Sequence, residues 1–535
     1  MVSHQDAVIE SAPDGLAARG ALFVRRAPPI RFGLAGPLSR SRVGTLRYAL
    51  LAAAFALALG GPATSFAEDV APAWALDWET GARKSYLIPA LEIPGFLVGL
   101  NVVDRYLYPG TDYDSDWESI KRNLQTVPVL DKDPFNVNQL GHPYQGSMYY
   151  GFARSAGLNF WESAGYTLMG SFLWEIAGET TPPSINDYVT TTIGGSFVGE
   201  SLFRMASLLL EGGGGGERPG FWRELGAAVI SPPTGLNRLA FGDRFKPVFP
   251  SRDPAVYVRL RLGATLTTDV NNAVGLSEGF KRQEGSGEFS MIYGLPGKPG
   301  YQYTRPFDFF HFEFTAVPNA DSVGNAIENF TVRGSLAAKK YAAGDDYRGV
   351  WGIFGGYEYL SPQIFRLATT SLSLGTVGQW WLTRTLALQG AALGGAGFGA
   401  AGTVGDEDQR DYRYGAIPEM ILNLRLIAGD RAMLETTVRQ YWVVGLGTGA
   451  SEGAQPYDHE LINRASVGLT VRIYGPHALS VGYLISAREA HVPGFGDRHQ
   501  SVQTVTLSYN FLGRTRFGAV EWRPAELSPA QAAIR

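Results

Sequence analysis

From residue 255 to residue 511 the hydrophobic positions of the chain recur every second residue. In "AVYVRLRLGAT", Val256, Val258, Leu260, Leu262 and Ala264 share one face of an extended strand, and Tyr257, Arg259, Arg261 and Thr265 share the other. "FFHFEFT" sets Phe310, Phe312 and Phe314 against His311, Glu313 and Thr315, and "EMILNLRLI" sets Met420, Leu422, Leu424 and Leu426 against Glu419, Asn423 and Arg425. "RASVGLTVRI" opposes Ala465, Val467, Leu469, Val471 and Ile473 to Arg464, Ser466, Thr470 and Arg472. "SVQTVTLSYNF" opposes Val505, Leu507, Tyr509 and Phe511 to Thr506, Ser508 and Asn510. Further alternating segments lie near 287–295, 330–341, 347–360, 366–380, 385–398, 433–444 and 478–488. That makes about twelve strands, many as long as the roughly nine to eleven residues a tilted strand needs to cross a bilayer. One apolar face and one charged face is the pattern of a membrane barrel: hydrocarbon requires a greasy exterior, and closure pairs every backbone donor and acceptor. A soluble sandwich also alternates, but its outer face meets water, whereas here the polar face is small or carries charges of both signs.

Ahead of this region the period is helical. Residues 85–107 read as a helix interrupted at Pro94, followed by an acidic loop, "YPGTDYDSDWESI". Helices are then expected over 143–155, 160–178 and 185–210, the last opened by Ser184 and Asp187 as a capping box. They are apolar around most of their circumference, so they must be buried on several sides. Gly195 and Gly199 lie four apart, a spacing that lets two helices approach closely. "EGGGGGERPG" is a flexible linker. The fold class is therefore α+β: an N-terminal helical domain followed by an antiparallel transmembrane β-barrel of about 12 strands.

The N-terminus supplies an address. Arg40, Arg42 and Arg47 precede the apolar run 48–59, and Ser65 and Ala67 stand where a signal peptidase reads, predicting cleavage before Glu68. Residues 1–39 fit an overextended gene start, with the true start near Val43. The domains expected are 1–67 leader and signal peptide, 68–211 periplasmic helical domain, 212–254 linker and connecting segment, 255–512 outer-membrane barrel and 513–535 tail. Composition agrees with many strands and turns against an apolar phase: 67 glycines, 12% aromatics and only 18% charged residues. A formal net charge of −4 argues against a nucleic-acid binder, and the absence of cysteine removes disulfides, thiolate nucleophiles and cysteine metal sites.

Candidate chemistry concentrates in 141–179. His142 precedes a helix and suits a general base or a metal ligand; Glu175 and Glu179 share a helix face, and Asp187 opens the next helix. Each has a plainer role. Asp187 completes the capping box, and Glu179 satisfies groups around the "TTPPS" turn. His142 is a buried histidine bonded to a carboxylate. Glu200 and Arg204 form an i, i+4 pair, and Arg154 has Glu162 and Glu175 as partners. Tyr144, Tyr149, Tyr150, Trp161 and Trp174 read as core or barrel contacts, and His311 and Glu313 as lumen lining. No H-E-x-x-H motif and no P-loop is present, and no cofactor or metal is assigned.

The words "HPYQGSMYY", "ARSAGLNFWES", "WEIAGE", "PSIND", "GGSFVGE" and "SPPTGLNRL", in this order, resemble the bacterial family called domain of unknown function 3943, over roughly residues 138–240. The resemblance implies a bacterial envelope protein whose helical domain precedes a strand-rich region, and it supplies no catalytic residues. The expected function is a Gram-negative outer-membrane pore, binding or scaffold protein whose helical domain contacts or plugs the barrel. The alternative is a lipid-modifying hydrolase using His142, Glu175, Glu179 and Asp187. The expected partners are outer-membrane lipids and a small-molecule or lipid ligand, with no nucleic acid.

Overall fold

A computed structural model describes residues 74–107, 112–131, 133–212, 219–272, 283–317, 326–362, 364–403, 410–447, 459–492, 496–513 and 516–522. The leader, the signal-peptide cleavage site, most of the glycine run and the tail beyond Trp522 lie outside them.

The alternating region forms twelve strands: β1 Val256–Asn272, β2 Gln283–Tyr293, β3 Phe310–Ala316, β4 Ile327–Ala343, β5 Tyr347–Leu360, β6 Phe365–Trp381, β7 Leu386–Thr403, β8 Tyr412–Ala428, β9 Ala432–Gly447, β10 His459–Tyr474, β11 His477–Val492 and β12 Gly496–Phe511. Every strand pairs antiparallel with its sequence neighbours, and β1 closes on β12. Closure gives every strand a neighbour on both sides, although the short β3 leaves the 336–343 end of β4 paired to β5 alone. Most turns at one end are tight: 344–346, 429–431 and 475–476. Connections at the other end include the longer 404–411 and 448–458.

Register fixes which residues face out, because cross-strand partners point to the same side. One outward row runs Leu260, Phe289, Phe314, Phe330, Tyr359, Ala368, Ala400 and Tyr414. On β8, β10 and β11 the outward side chains near the tight turns are exposed and apolar: Leu422 and Leu424, Leu469 and Val471, Leu479 and Val481. Toward the longer connections the outward positions turn polar, with Glu489 and His491 on β11 and Asp497 and His499 on β12. The alternation read for β1, β3, β8, β10 and β12 thus holds with its apolar set outward, whereas at the start of β6 the apolar Phe365 and Leu367 face the interior.

The helices are α1 Leu87–Leu107, α2 Trp117–Gln125, α3 His142–Ser155, α4 Phe160–Leu173, α5 Ile185–Val189, α6 Gly195–Glu211, α7 Phe221–Ile230 and α8 Pro232–Ala240. Wide π turns lead into α3 (Val137–Gly141), extend α4 (Trp174–Gly178) and join α5 to α6 (Thr190–Gly194). Pro94 lies within α1 without breaking it, against the expected interruption. A proline removes one intrahelical hydrogen bond, and the flanking Ile93 and Leu97 are locked against Tyr149 and Trp174. The capping box at Ser184 is half made: Ser184 Oγ accepts from Asp187 N at 3.2 Å, but Ser184 N donates to Glu175 Oε2 at 2.7 Å instead of to Asp187. α3 and α6 cross at glycine: a Cβ on Gly146 would lie 2.0 Å from the Thr191 carbonyl oxygen, and one on Gly195 would lie 2.7 Å from Gly146 Cα. Gly199 fits under the Tyr150 ring in the same way.

These helices stand against the outside of the barrel. A Cβ on Gly355, an outward position of β5, would lie 2.4 Å from the Phe197 ring of α6. A Cβ on Gly194 would lie 3.0 Å from Thr370 Oγ1 on the outward face of β6. Phe197, Tyr150 and Phe160 share one buried cluster with the outward Met291, Phe312, Val332 and Tyr357. The expected contact with the barrel is made, but on its wall; the helices do not plug the lumen. Outward aromatics on β2 to β5 that would face lipid in a bare barrel are covered by α6 and its neighbours.

Candidate functional site

The sequence-predicted residues gather at the end of the helical bundle that is level with the start of β8, past the exposed apolar band. His142 opens α3, and its Nε2 is 3.7 Å from Asp187 Oδ1, too far for a hydrogen bond. Its Nδ1 is buried without a hydrogen-bond partner. Asn186 Nδ2 donates to Asp187 Oδ1 at 3.1 Å and to Asp131 Oδ1 at 3.3 Å. Asn138 Nδ2 also reaches Asp131 and lies 3.0 Å from the hydroxyls of both Tyr412 and Tyr414. Glu175 holds the Ser184 amide, while Glu179 accepts from Trp174 Nε1 at 2.7 Å and from Thr181 Oγ1 at 3.0 Å. Glu179 therefore serves the "TTPPS" turn as expected, and Glu175 joins it there.

The electrostatics follow from five carboxyls sharing a poorly solvated volume. Burial pushes the His142 imidazole down to about 4. Burial, then the charge of Asp131, pushes Asp187 well above the usual carboxylate range. Burial raises Glu179 to about 8, with Asp133 adding to it, and raises Glu175, with Glu179 adding to it. Asp133 is pushed up to about 6 by burial and by Asp131. Burial thus favours the neutral form of both His142 and Asp187 over an ion pair.

A hydrolase needs a hydroxyl or water held on the base. The Ser147 hydroxyl donates instead to the Tyr144 carbonyl at 2.6 Å. Among the described residues, no group of three or more His, Asp or Glu is placed to hold a metal ion. Asp131, Asn138 and Asn186 lie close to the singled-out residues in sequence, in "DKDPFNVNQLGH" and "PSIND", and their carboxyl and amide side chains were the legible signal. Tyr412 and Tyr414 come from a strand more than 270 positions away, and nothing local marks them.

A second polar centre lies at the opposite end of α3 and α6. Glu200 takes Arg154 Nε at 2.8 Å, Arg204 Nε at 2.7 Å and the Tyr150 hydroxyl at 2.8 Å. Arg204 also reaches Asp308 in the β2–β3 connection at 3.1 Å. The Phe249 ring packs against the guanidinium groups of Arg154 and Arg305. The expected Glu200–Arg204 pair is present. Arg154, however, pairs with Glu200, not with Glu162, which is bound to Lys84 at 2.8 Å, nor with Glu175.

The third centre is the lumen. Arg259 bridges Glu288 at 3.0 Å and Glu435 at 3.1 Å; Arg333 bridges Glu419 at 2.7 Å and Glu358 at 3.1 Å. His311 lies 3.6 Å from Glu313 and lines this interior as expected. A cavity of about 210 Å³ remains among these groups. Apolar clusters fill the interior on either side. Toward the longer connections they include Phe365, Leu367, Ile417 and Ile462. Toward the tight turns, Phe517 and Val520 of the segment after β12 pack on Ile427, Met433 and Ala478.

Residues 127–233 match the family model described as Domain of unknown function (DUF3943), which bears out the resemblance read from the sequence. No curated protein matches. Solved structures with similar strand arrangements include the Pseudomonas putida toluene transporter TodX, at 8% identity and TM-score 0.20, covering 50% of this chain and 91% of that one. The NanC porin gives 8% identity and TM-score 0.22 over 47% and 98% of the two chains. The outer-membrane channel DcaP of Acinetobacter baumannii gives 7% identity and TM-score 0.22 over 48% and 96%. The barrel assignment rests on the closed strand order itself.

Proposed function

We propose that this chain is an outer-membrane β-barrel acting as a scaffold: its lumen is shut at rest, and its outer wall carries the DUF3943-matching helices. The outward apolar band on β5 to β12 supports the membrane setting, since a water-facing wall would not expose Leu469, Val471, Leu479 and Val481 side by side. The observation that carries the scaffold role is the seating of Gly194 and Phe197 on the outward positions Thr370 and Gly355. Among the described residues the helices sit outside the barrel, and the chain that packs into its interior is the short segment 517–520. That interior is spanned by ion pairs between two apolar layers, which favours a rigid support over an open pore.

The sequence has no cysteine, so a designed pair reports without background. The full-length variant Gly194→Cys/Thr370→Cys, oxidised in whole cells, is expected to form an intramolecular disulfide. The purified wild type is expected to give no sustained conductance in planar bilayers. Absence of the cross-link in folded barrels, or steady open steps from the wild type, overturns the scaffold reading.

A further inference from the structure

The outer surface of the helical bundle has inverted polarity. On α4, Ser163, Thr167 and Ser171 are buried within the bundle, while Trp161, Leu168 and Phe172 are exposed. On α1, the outward side chains Leu87, Leu91, Val98, Val102 and Val103 are all exposed over seventeen residues, Gly95 and Gly99 lie among them, and Glu92, the ionisable group within this stretch, is half-buried at the edge of the face. At about 1.5 Å per residue that face runs roughly 25 Å, close to the thickness of a hydrocarbon core. Its ends carry interfacial groups: Lys84 and Tyr86 before it, Arg105 and Tyr106 after it. Tyr and basic side chains at both ends of an apolar stretch are typical of the membrane–water boundary. The inner face of α4 and the α3–α6 crossing are polar or small, as in membrane bundles, where hydroxyl side chains and glycines bring helices together, while α1 packs inward through the apolar Ile93 and Leu97. The surface is also continuous with a membrane-facing wall: Leu372 and Leu374, exposed outward on β6, directly follow Thr370, which seats Gly194.

We infer that the bundle is an intramembrane body lying beside the barrel, with α1 and the outward face of α4 in contact with the acyl chains of the bilayer. This moves the helices out of the periplasm, where the sequence alone placed them. The polar α2 and the His142–Asp187 cluster then sit at one membrane surface, and the Glu200–Arg204–Asp308 knot near the other. The inference rests on the reading of the barrel as membrane-spanning, and the test separates the two.

Single cysteines are introduced into the full-length chain by Val98→Cys on α1, Leu469→Cys on the barrel wall and Glu118→Cys on α2. Each is spin-labelled, and the protein is reconstituted in phosphatidylethanolamine–phosphatidylglycerol vesicles. Heat-modifiable migration on gels confirms folding, and Leu91→Cys serves as a second α1 probe should Val98→Cys fail to fold. Accessibility to oxygen, which concentrates in hydrocarbon, is compared with accessibility to a water-soluble nickel chelate. The expected oxygen-to-nickel ratio at Val98 equals that at Leu469 and exceeds that at Glu118 several-fold. A nickel-dominated Val98 beside an oxygen-dominated Leu469 overturns the inference and leaves the barrel reading intact. A Val98 shielded from both reagents means that protein, not lipid, covers α1, and overturns it as well. Nickel dominance at Leu469 overturns both readings.

Discussion

Replacing Phe197 with alanine tests whether the helices are held by the barrel wall. The ring is 3% exposed, lies 5.8 Å from the Phe307 ring, and sits over Gly355 so closely that a Cβ there would be 2.4 Å away. Removing a buried phenyl ring costs about 3–5 kcal/mol when the hole cannot collapse, which is two to three and a half orders of magnitude in the docking equilibrium at about 1.4 kcal/mol per decade. Gly355→Val alone overpacks the same spot and costs about 1–3 kcal/mol. In the double variant the valine occupies part of the space the ring leaves, so the combined cost falls short of the sum by about 1 kcal/mol or more, as for residues in contact. The assay is denaturant unfolding of the full chain in one detergent. Ellipticity at 222 nm follows the helices, and heat-modifiable migration on gels confirms that the barrel stays closed. If the two single costs simply add, Phe197 and Gly355 do not touch, and the outer-wall docking is wrong.

Glu200→Gln leaves Arg154 without its carboxylate and Arg204 with Asp308 alone, so helical stability in the same assay should drop by about 3–5 kcal/mol, as for breaking a buried ion pair; a change below 1 kcal/mol contradicts the knot. The pH dependence of the helical transition should report Glu179. Its folded-state value near 8 lies above the 4.5 of the free side chain, so the folded form retains a proton that the unfolded chain releases. Stability from this group is complete below about 4.5 and is lost as pH rises to about 8. Glu179→Gln should flatten that fall, and an unchanged slope would show the carboxyl to be solvated.

The strands were legible because a buried or lipid-facing side leaves a period-two record in every segment, and Arg259, Glu313, Arg425 and Thr506 fell on the polar side wherever they were read. The longer helices α1, α3, α4 and α6 were legible for the same reason at period 3.6, whereas the short α2 begins in what read as an acidic loop, and α7 and α8 lie in what read as a connecting segment. What the pattern could not carry is which apolar surface each greasy face meets. Phe310 and Phe312 look identical to Leu469 and Val471 in sequence, yet the first pair meets the helical domain and the second is exposed. The same blindness misplaced Arg154, since Glu162 and Glu175 were nearer in sequence than Glu200. The His142 cluster was half visible: its acids and amides cluster locally, whereas Tyr412 and Tyr414 arrive only through the long-range seating of helices on the wall.

That seating also sets an order for biogenesis. Asn138 bonds Tyr414 across 276 positions, so the first helices synthesised must wait for β8 before their partner surface exists. Phe197 and Phe160 stay bare through that interval, and contacts so remote in sequence close slowly. The apolar faces of the helices therefore have no wall to cover them until strands up to β8 exist, which ties completion of the helical domain to that of the barrel.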